Sequence, residues 1–253
     1  MDFDANAIFE DELARRGLNF VREDELTYQI ALGDLDVTAN LENVRRNAER
    51  DADPDAIRRF VDKILDAFPK KRPNWVEASA YLLWSAERTD SDFGDTVHEV
   101  VTDDVARVLT LTDADQSRIA WVTPDMCERW GVSIEDACAQ AFANQNRLLD
   151  GITLELAPVH DESLGIVPVN SPYKGSVIFA RAFKGLVAPH LGWPVLVVLP
   201  RRDFIYVVAD NSPLLGNIGY VVVEEYKNSG YPLTTEVLRI SDDGIEAIGN
   251  FPT

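Results

Sequence analysis

Two arginines and an aspartate stand side by side at Arg201, Arg202 and Asp203, in a short polar break between two apolar runs. The runs, residues 195–199 and 204–209, are typical of buried strands, so the break predicts a tight hairpin turn. Guanidinium groups bind carboxylates and phosphates through paired N–H donors. The sequence therefore predicts a recognition site in which the two arginines contact an acidic group and Asp203 orients one of them.

A simpler structural role for the same residues stays open. Asp203 could accept backbone N–H groups within the turn, and the arginines could cover the edge of the sheet. In the recognition hypothesis, Asn144 is predicted to support the turn from the end of a helix. The predicted binding residues are thus Arg201, Arg202, Asp203 and Asn144.

Catalysis has weaker support in the sequence. The histidines, His98, His160 and His190, fall in loop-like contexts, and none has a histidine or carboxylate four residues on, as a helical metal site requires. Acidic residues near the hairpin could gather around a divalent cation, but acids are so abundant that chance proximity explains them better; they are Asp203, Asp210, Glu224 and Glu225. We predict no metal and no cofactor, and the sequence leaves open whether the protein is an enzyme.

The charge balance argues against a nucleic-acid partner. The 253 residues include 43 Asp and Glu against 24 Lys and Arg, a formal net charge of −19. Binding to phosphate backbones needs clustered basic residues, which are outnumbered here. Cys127 and Cys138 have neither C-x-x-C spacing nor histidines at zinc-finger offsets. The sequence therefore predicts neither a structural metal nor a disulfide framework.

No stretch of the sequence predicts a membrane span or a secretory signal. The best apolar window is broken by Arg181 and Lys184, well short of the roughly 18 apolar residues that a spanning helix needs. The first four residues include two acids, Asp2 and Asp4, where a signal peptide would have basic residues. We therefore expect a soluble protein of the cytoplasm.

The pattern of elements favours an α+β fold with two parts. Residues 69–73 contain two prolines and three basic residues, which indicates a linker between residues 1–72 and residues 73–253. The first part is predicted to hold a helix, a strand hairpin and further helices. The second part is predicted to be the main domain, a mostly antiparallel or mixed sheet with helices packed on one side.

Several predictions within the main domain bear on the site. The run at residues 195–199 has branched side chains at nearly every position, which predicts a central strand. The acidic stretch 87–95 is predicted to be a surface loop, residues 158–172 an irregular crossing, and residues 173–186 a helix.

Four short motifs carry a resemblance to a known family. They are Asn40-Leu41-Glu42-Asn43, Trp130-Gly131-Val132-Ser133, Ala141-Phe142-Ala143-Asn144 and Leu199-Pro200-Arg201-Arg202-Asp203. In this order they resemble the YtpQ family of bacterial proteins, whose members are uncharacterised. The resemblance implies a cytoplasmic α+β protein and assigns no activity.

The sequence thus predicts a protein-interaction or regulatory module whose partner is another protein. An enzyme of hydrolytic type is the alternative. A pocket holding a histidine beside a carboxylate and a hydroxyl would indicate the enzyme. A shallow, largely apolar patch would indicate partner binding.

Overall fold

The computed structural model of the protein describes residues 4–32, 35–67, 73–114, 116, 119–159 and 162–253. The chain divides into two compact units, Met1–Arg72 and Pro73–Thr253. Residues 69–72 of the predicted linker lie outside the described residues, and so does His160.

Among its described residues, the first unit packs three helices against a three-stranded antiparallel sheet of order β1-β2-β3. Its elements are α1 (Ala5–Arg15), β1 (Asn19–Arg22), β2 (Thr27–Leu32), β3 (Leu35–Asn40), α2 (Glu42–Asp51) and α3 (Asp55–Ala67). Phe9 and Leu13 of α1 and Val61 of α3 are buried with Tyr28 and Ile30 of β2 in one core. The predicted N-terminal hairpin with its helices is confirmed.

The second unit contains ten strands and five α-helices among its described residues. The helices are α4 (Trp75–Ala78), α5 (Pro124–Trp130), α6 (Ile134–Arg147), α7 (Phe183–Leu191) and α8 (Leu215–Lys227), with 3₁₀ segments at Ser79–Tyr81 and Lys174–Phe179. The strands are β4 (Leu82–Arg88), β5 (His98–Val100), β6 (Val105–Thr112), β7 (Ile119–Trp121), β8 (Glu155–Val159), β9 (Glu162–Ile166), β10 (Val195–Val198), β11 (Tyr206–Ala209), β12 (Glu236–Ser241) and β13 (Gly244–Asn250).

These strands form two antiparallel sheets. The larger has six strands in the order β13-β12-β10-β11-β9-β8, so β10 is central, as its apolar sequence predicts. In the smaller sheet β6 pairs with β4, β5 and β7. Antiparallel sheets combined with separate helices confirm the α+β class.

Helices cover both faces of the six-stranded sheet rather than the single side that the sequence suggests. Alternate residues of β10 point to opposite faces: Val195 and Val197 pack with the core that contains α7, whereas Leu196 and Val198 pack with α8. The reason is that both faces of this strand are apolar, so each needs a covering layer.

Within the described part of the chain, none of the helices combines the length and apolar character needed to cross a bilayer.

Candidate functional site

The predicted hairpin is present at residues 195–209. Strands β10 and β11 pair antiparallel, with Val195 opposite Ala209 and Val198 opposite Tyr206. Residues 200–203, which we call the arginine turn, lie within the connection between the two strands, and the Phe204 N–H donates a 3.1 Å hydrogen bond to the Arg201 carbonyl. The apolar runs and the polar break between them were sufficient to predict this part of the structure.

Neighbouring segments fix the backbone of the arginine turn. The Leu233 N–H donates to the Pro200 carbonyl at 2.9 Å, next to an isolated antiparallel bridge between Arg201 and Pro232. On the other side, the Gly175 N–H of the 3₁₀ segment Lys174–Phe179 donates to the Arg202 carbonyl at 2.8 Å. The turn is therefore held from two directions by backbone hydrogen bonds, which makes it a rigid support for its side chains.

The Arg202 side chain is anchored by a buried carboxylate. Its Nη2 lies 2.5 Å from Oε2 of Glu87, which is only 5% exposed, and the other Glu87 oxygen accepts a 2.6 Å hydrogen bond from the Ser85 hydroxyl. Two aromatic rings flank the guanidinium, with centroids 5.9 Å away for Tyr173 and 5.0 Å away for Tyr231. Such contacts stabilise the cation and restrict its orientation.

Tyr173 is the buried wall of this arrangement, with 4% of its surface exposed. Burial raises its pKa to about 12, and the nearby Arg202 guanidinium opposes part of that rise. The phenol is therefore protonated at neutral pH, a state in which it can donate a hydrogen bond.

The Arg201 side chain is oriented by two carboxylates. Its Nε lies 3.1 Å from Oε2 of Glu225 on α8 and 3.4 Å from Oδ1 of Asp203. This buried Nε lacks hydrogen-bond geometry to any described residue, so both contacts are ion pairs rather than hydrogen bonds. The guanidinium also lies 5.7 Å from the Phe204 ring. Asp203 therefore contacts one of the two arginines, and its orienting role stays a prediction.

A pocket of about 480 Å³ opens beside the arginine turn. We call it the arginine pocket, and it is lined by Gln116, Ile119, Pro172, Tyr173, Arg201, Arg202, Asp203, Ser229, Gly230 and Tyr231. Both arginines and the aspartate thus contribute to one cavity. Tyr231 is 58% exposed and leaves part of its ring available at the pocket.

The arrangement suits the binding of an acidic group. Within the described chain, Glu87 is the one hydrogen-bond partner of the Arg202 side chain, and it engages a single nitrogen. Arg201 contacts its carboxylates through Nε. The other guanidinium nitrogens retain donors for a ligand, and the fixed carboxylates keep the planar groups in place.

The prediction that Asn144 supports the arginine turn is wrong. Asn144 lies on α6, and its Nδ2 donates 2.8 Å hydrogen bonds to the carbonyls of Ser79 and Leu82. Its Oδ1 accepts from Gln140 and Arg147 of the same helix. These bonds hold the start of β4 against α6, because a buried amide must satisfy its own polar groups. The support expected from Asn144 comes instead from Gly175.

The other candidate residues do not assemble a catalytic or metal centre in the part of the chain that the structure describes. Asp210 pairs with Arg239, and no group of three or more potential metal ligands occurs among the described residues. The Nδ1 of His98 lies 2.9 Å from the Thr96 carbonyl, and His190 is in the last turn of α7. His160 falls outside the described residues.

Sequence reasoning missed most of the residues that surround the two arginines. The sequence predicts a surface loop at Glu87, but β4 continues through Arg88 and buries this residue. Residues 82–86 are mostly apolar, and this pattern could have predicted that the strand continues as far as Glu87. No local signal marks Tyr173, Gly175 or Tyr231 as neighbours of the turn.

Comparison of the chain with protein-family models, curated proteins and solved structures found no match. The resemblance to the YtpQ family therefore stays a prediction.

Proposed function

We propose that this protein is a binding module that takes an acidic group of a partner protein into the arginine pocket. One observation carries the proposal: two adjacent guanidinium groups line the same cavity, and each is held in place by a carboxylate from a different element. Guanidinium groups that are fixed in this way lose little freedom when a ligand binds.

The surroundings of the pocket favour a protein as the partner. The net charge of −19 disfavours a nucleic acid. Tyrosine and arginine are among the residues that dominate protein interfaces, and the exposed Tyr231 and the half-buried Arg201 both line the pocket. The partner is expected in the cytoplasm, where the sequence predicts the protein to reside.

The hydrolytic alternative gains less support from the same geometry. A hydrolase that works through a serine, threonine or cysteine nucleophile needs a general base beside it, most often a histidine. The described lining of the pocket includes no histidine, and Tyr173, one of its two tyrosines, has a raised pKa. Binding is therefore the role that the arrangement of charges supports best.

An NMR titration with a short acetylated and amidated peptide tests the proposal. The peptide carries one central glutamate, and the comparison peptide carries glutamine at that position. In the wild-type protein, the glutamate peptide is expected to shift the backbone amide signals of residues 201–203 and of Tyr231 in a saturable manner. The glutamine peptide should not, because it lacks the charge that the guanidinium groups recognise.

Matched arginine variants show whether the pocket is responsible. Arg201→Gln is expected to weaken binding of the glutamate peptide about tenfold, because it removes a charge-assisted contact. Arg239→Gln is the control, since Arg239 has a similar side-chain exposure, 32% against 35%, and is also paired with carboxylates, but does not line the pocket. Equal affinities of the two peptides for the wild type, or equal effects of the two variants, would contradict the proposed function.

A further inference from the structure

We infer that Asp203 restricts the arginine pocket to ligands with a single negative charge, so that the pocket binds a carboxylate and disfavours a phosphate dianion. This inference rests on the proposed function, because it concerns the same pocket. It names both the chemical class of the ligand and the residue that selects it.

The carboxylates that pair with the two arginines outnumber them. Arg201 and Arg202 supply two positive charges, whereas Glu87, Asp203 and Glu225 supply three negative ones. The sum over these five paired groups is −1, and the protein as a whole has a net charge of −19. Attraction to the guanidinium groups favours binding of a negatively charged ligand. Each additional negative charge on the ligand is repelled by the surplus of carboxylates and so adds less to the affinity.

Asp203 differs from the other two carboxylates in its position. Glu87 is buried beside Arg202, and Glu225 contacts Arg201 from α8 without lining the pocket. Asp203 lines the pocket itself, and its side chain is 52% exposed. Asp203 is therefore the carboxylate that a bound anion faces directly.

The shapes of the two anions add to the difference in charge. A carboxylate is planar and can direct both oxygens towards guanidinium donors. A phosphate monoester carries a third oxygen and a charge of about −1.5 to −2 at neutral pH. When two of its oxygens face the arginines, the remaining charge lies near Asp203. Repulsion between unit charges about 4 Å apart in bulk water corresponds to about a fivefold loss of affinity.

The experiment uses the full chain and four short peptides of the same length. Three are acetylated and amidated and carry glutamate, phosphoserine or glutamine at the centre. The fourth carries glutamine and ends in a free carboxylate, which separates a chain-terminal carboxylate from a side-chain carboxylate as the source of the ligand. Affinities are measured by NMR titration for the wild type, Asp203→Asn and Glu225→Gln, and thermal unfolding checks that each variant is folded.

Glu225→Gln is the matched control, because it removes a carboxylate from the same guanidinium without changing the lining of the pocket. We expect the wild type to bind one or both carboxylate peptides about fivefold more tightly than the phosphoserine peptide. Asp203→Asn should bring the two affinities to within about twofold of each other. Glu225→Gln should change their ratio by less, because Glu225 does not line the pocket.

Three results would overturn the inference. Wild-type protein that binds phosphoserine as tightly as glutamate shows that the pocket does not select by charge. Equal changes of the affinity ratio in the two variants show that net charge, rather than Asp203, sets the preference. If all peptides bind no better than the amidated glutamine peptide, the proposed function fails together with the inference. In the first two results the pocket still binds an acidic peptide, so only the inference about Asp203 fails.

Discussion

Arg202 and Glu87 show how one ion pair can shape a binding site. The two residues are 115 positions apart, yet the Arg202 Nη2 and Glu87 Oε2 atoms lie 2.5 Å from each other. Glu87 is almost fully buried, so its charge needs the arginine and the Ser85 hydroxyl as partners. The pair therefore stabilises the fold and, at the same time, fixes the orientation of a guanidinium in the pocket.

Glu87→Gln is expected to lower the free energy of unfolding by about 3 kcal/mol, because it leaves the guanidinium without its charged partner. Glu99→Gln is the control, since Glu99 also forms an ion pair with an arginine, Arg107, but is 59% exposed. We expect this second change to cost less than about 1 kcal/mol. Urea denaturation measures both values, and equal losses would show that burial of the Glu87 pair is unimportant.

The site was only partly predictable at the level of single residues. Arg201, Arg202 and Asp203 were identified correctly as neighbours in one turn, because adjacent residues in a tight turn stay close whatever the rest of the chain does. The roles of Glu87 and Asn144 were not, because burial and hydrogen-bond partners depend on segments that are distant in sequence.

At the scale of elements, the 3₁₀ segment Lys174–Phe179 determines how the arginine turn sits in the main unit. Gly175 contacts the turn so closely that an added Cβ would lie 2.9 Å from the Arg202 carbonyl oxygen. The next residue, Ser176, accepts a 2.8 Å hydrogen bond from the Ala86 N–H of β4. The segment thus connects the strand that carries Glu87 with the turn that carries Arg202.

Gly175→Ala is expected to cost about 2 kcal/mol of stability, because the methyl group forces the arginine turn away from the 3₁₀ segment. Binding of the glutamate peptide should weaken with it. Gly185→Ala on α7 is the control, because its added Cβ meets no atom within 4 Å. That variant should be neutral or stabilising by up to about 1 kcal/mol.

Urea denaturation and peptide titration test the two glycine variants together. If Gly175→Ala leaves both stability and binding unchanged, the close approach of Gly175 does not position the turn.

Elements with strong local signals were predicted well. Helix α5 begins at Pro124 after the capping Thr123 and ends at Trp130, just before Gly131, whose φ is +70°, as its sequence indicates. Residues 158–172 were expected to be irregular, but β8 and β9 form a hairpin there. Pro158 and Gly165 hide the strand pattern, because proline and glycine are uncommon inside strands. Glycine is needed at position 165, since an added Cβ would lie 3.1 Å from the Val207 carbonyl oxygen of β11. The predicted helix 173–186 is instead a 3₁₀ segment followed by α7.

At the scale of the whole molecule, the excess of acidic residues sets the electrostatic background for every local interaction. Forty-three acidic side chains repel one another more than 24 basic side chains can offset. Ion pairs such as Arg239 with Asp210 neutralise acidic charge locally, but the surplus of 19 acidic residues would remain even if every basic residue were paired. The remainder acts over longer distances and is sensitive to salt.

We therefore expect the melting temperature to rise by about 2–4 °C between about 0.01 M and about 0.1 M NaCl. Over this range the Debye length falls from about 30 Å to about 10 Å, so long-range repulsion is screened more strongly than contacts within ion pairs. KCl at the same ionic strength should give the same rise. A falling melting temperature would show that surface ion pairs outweigh the repulsion between acids.

Local patterns in the chain were enough to predict the α+β class, the central strand and the arginine turn, because hydrophobic periodicity and turn residues act over only a few positions. Folding decided which residues surround that turn. Glu87, Gly175 and Tyr231 come from three separate segments, and they meet at Arg202 only because the strands and the 3₁₀ segment pack in one particular way. Contacts between distant segments leave no periodic trace in the chain, so the pocket became visible only in three dimensions.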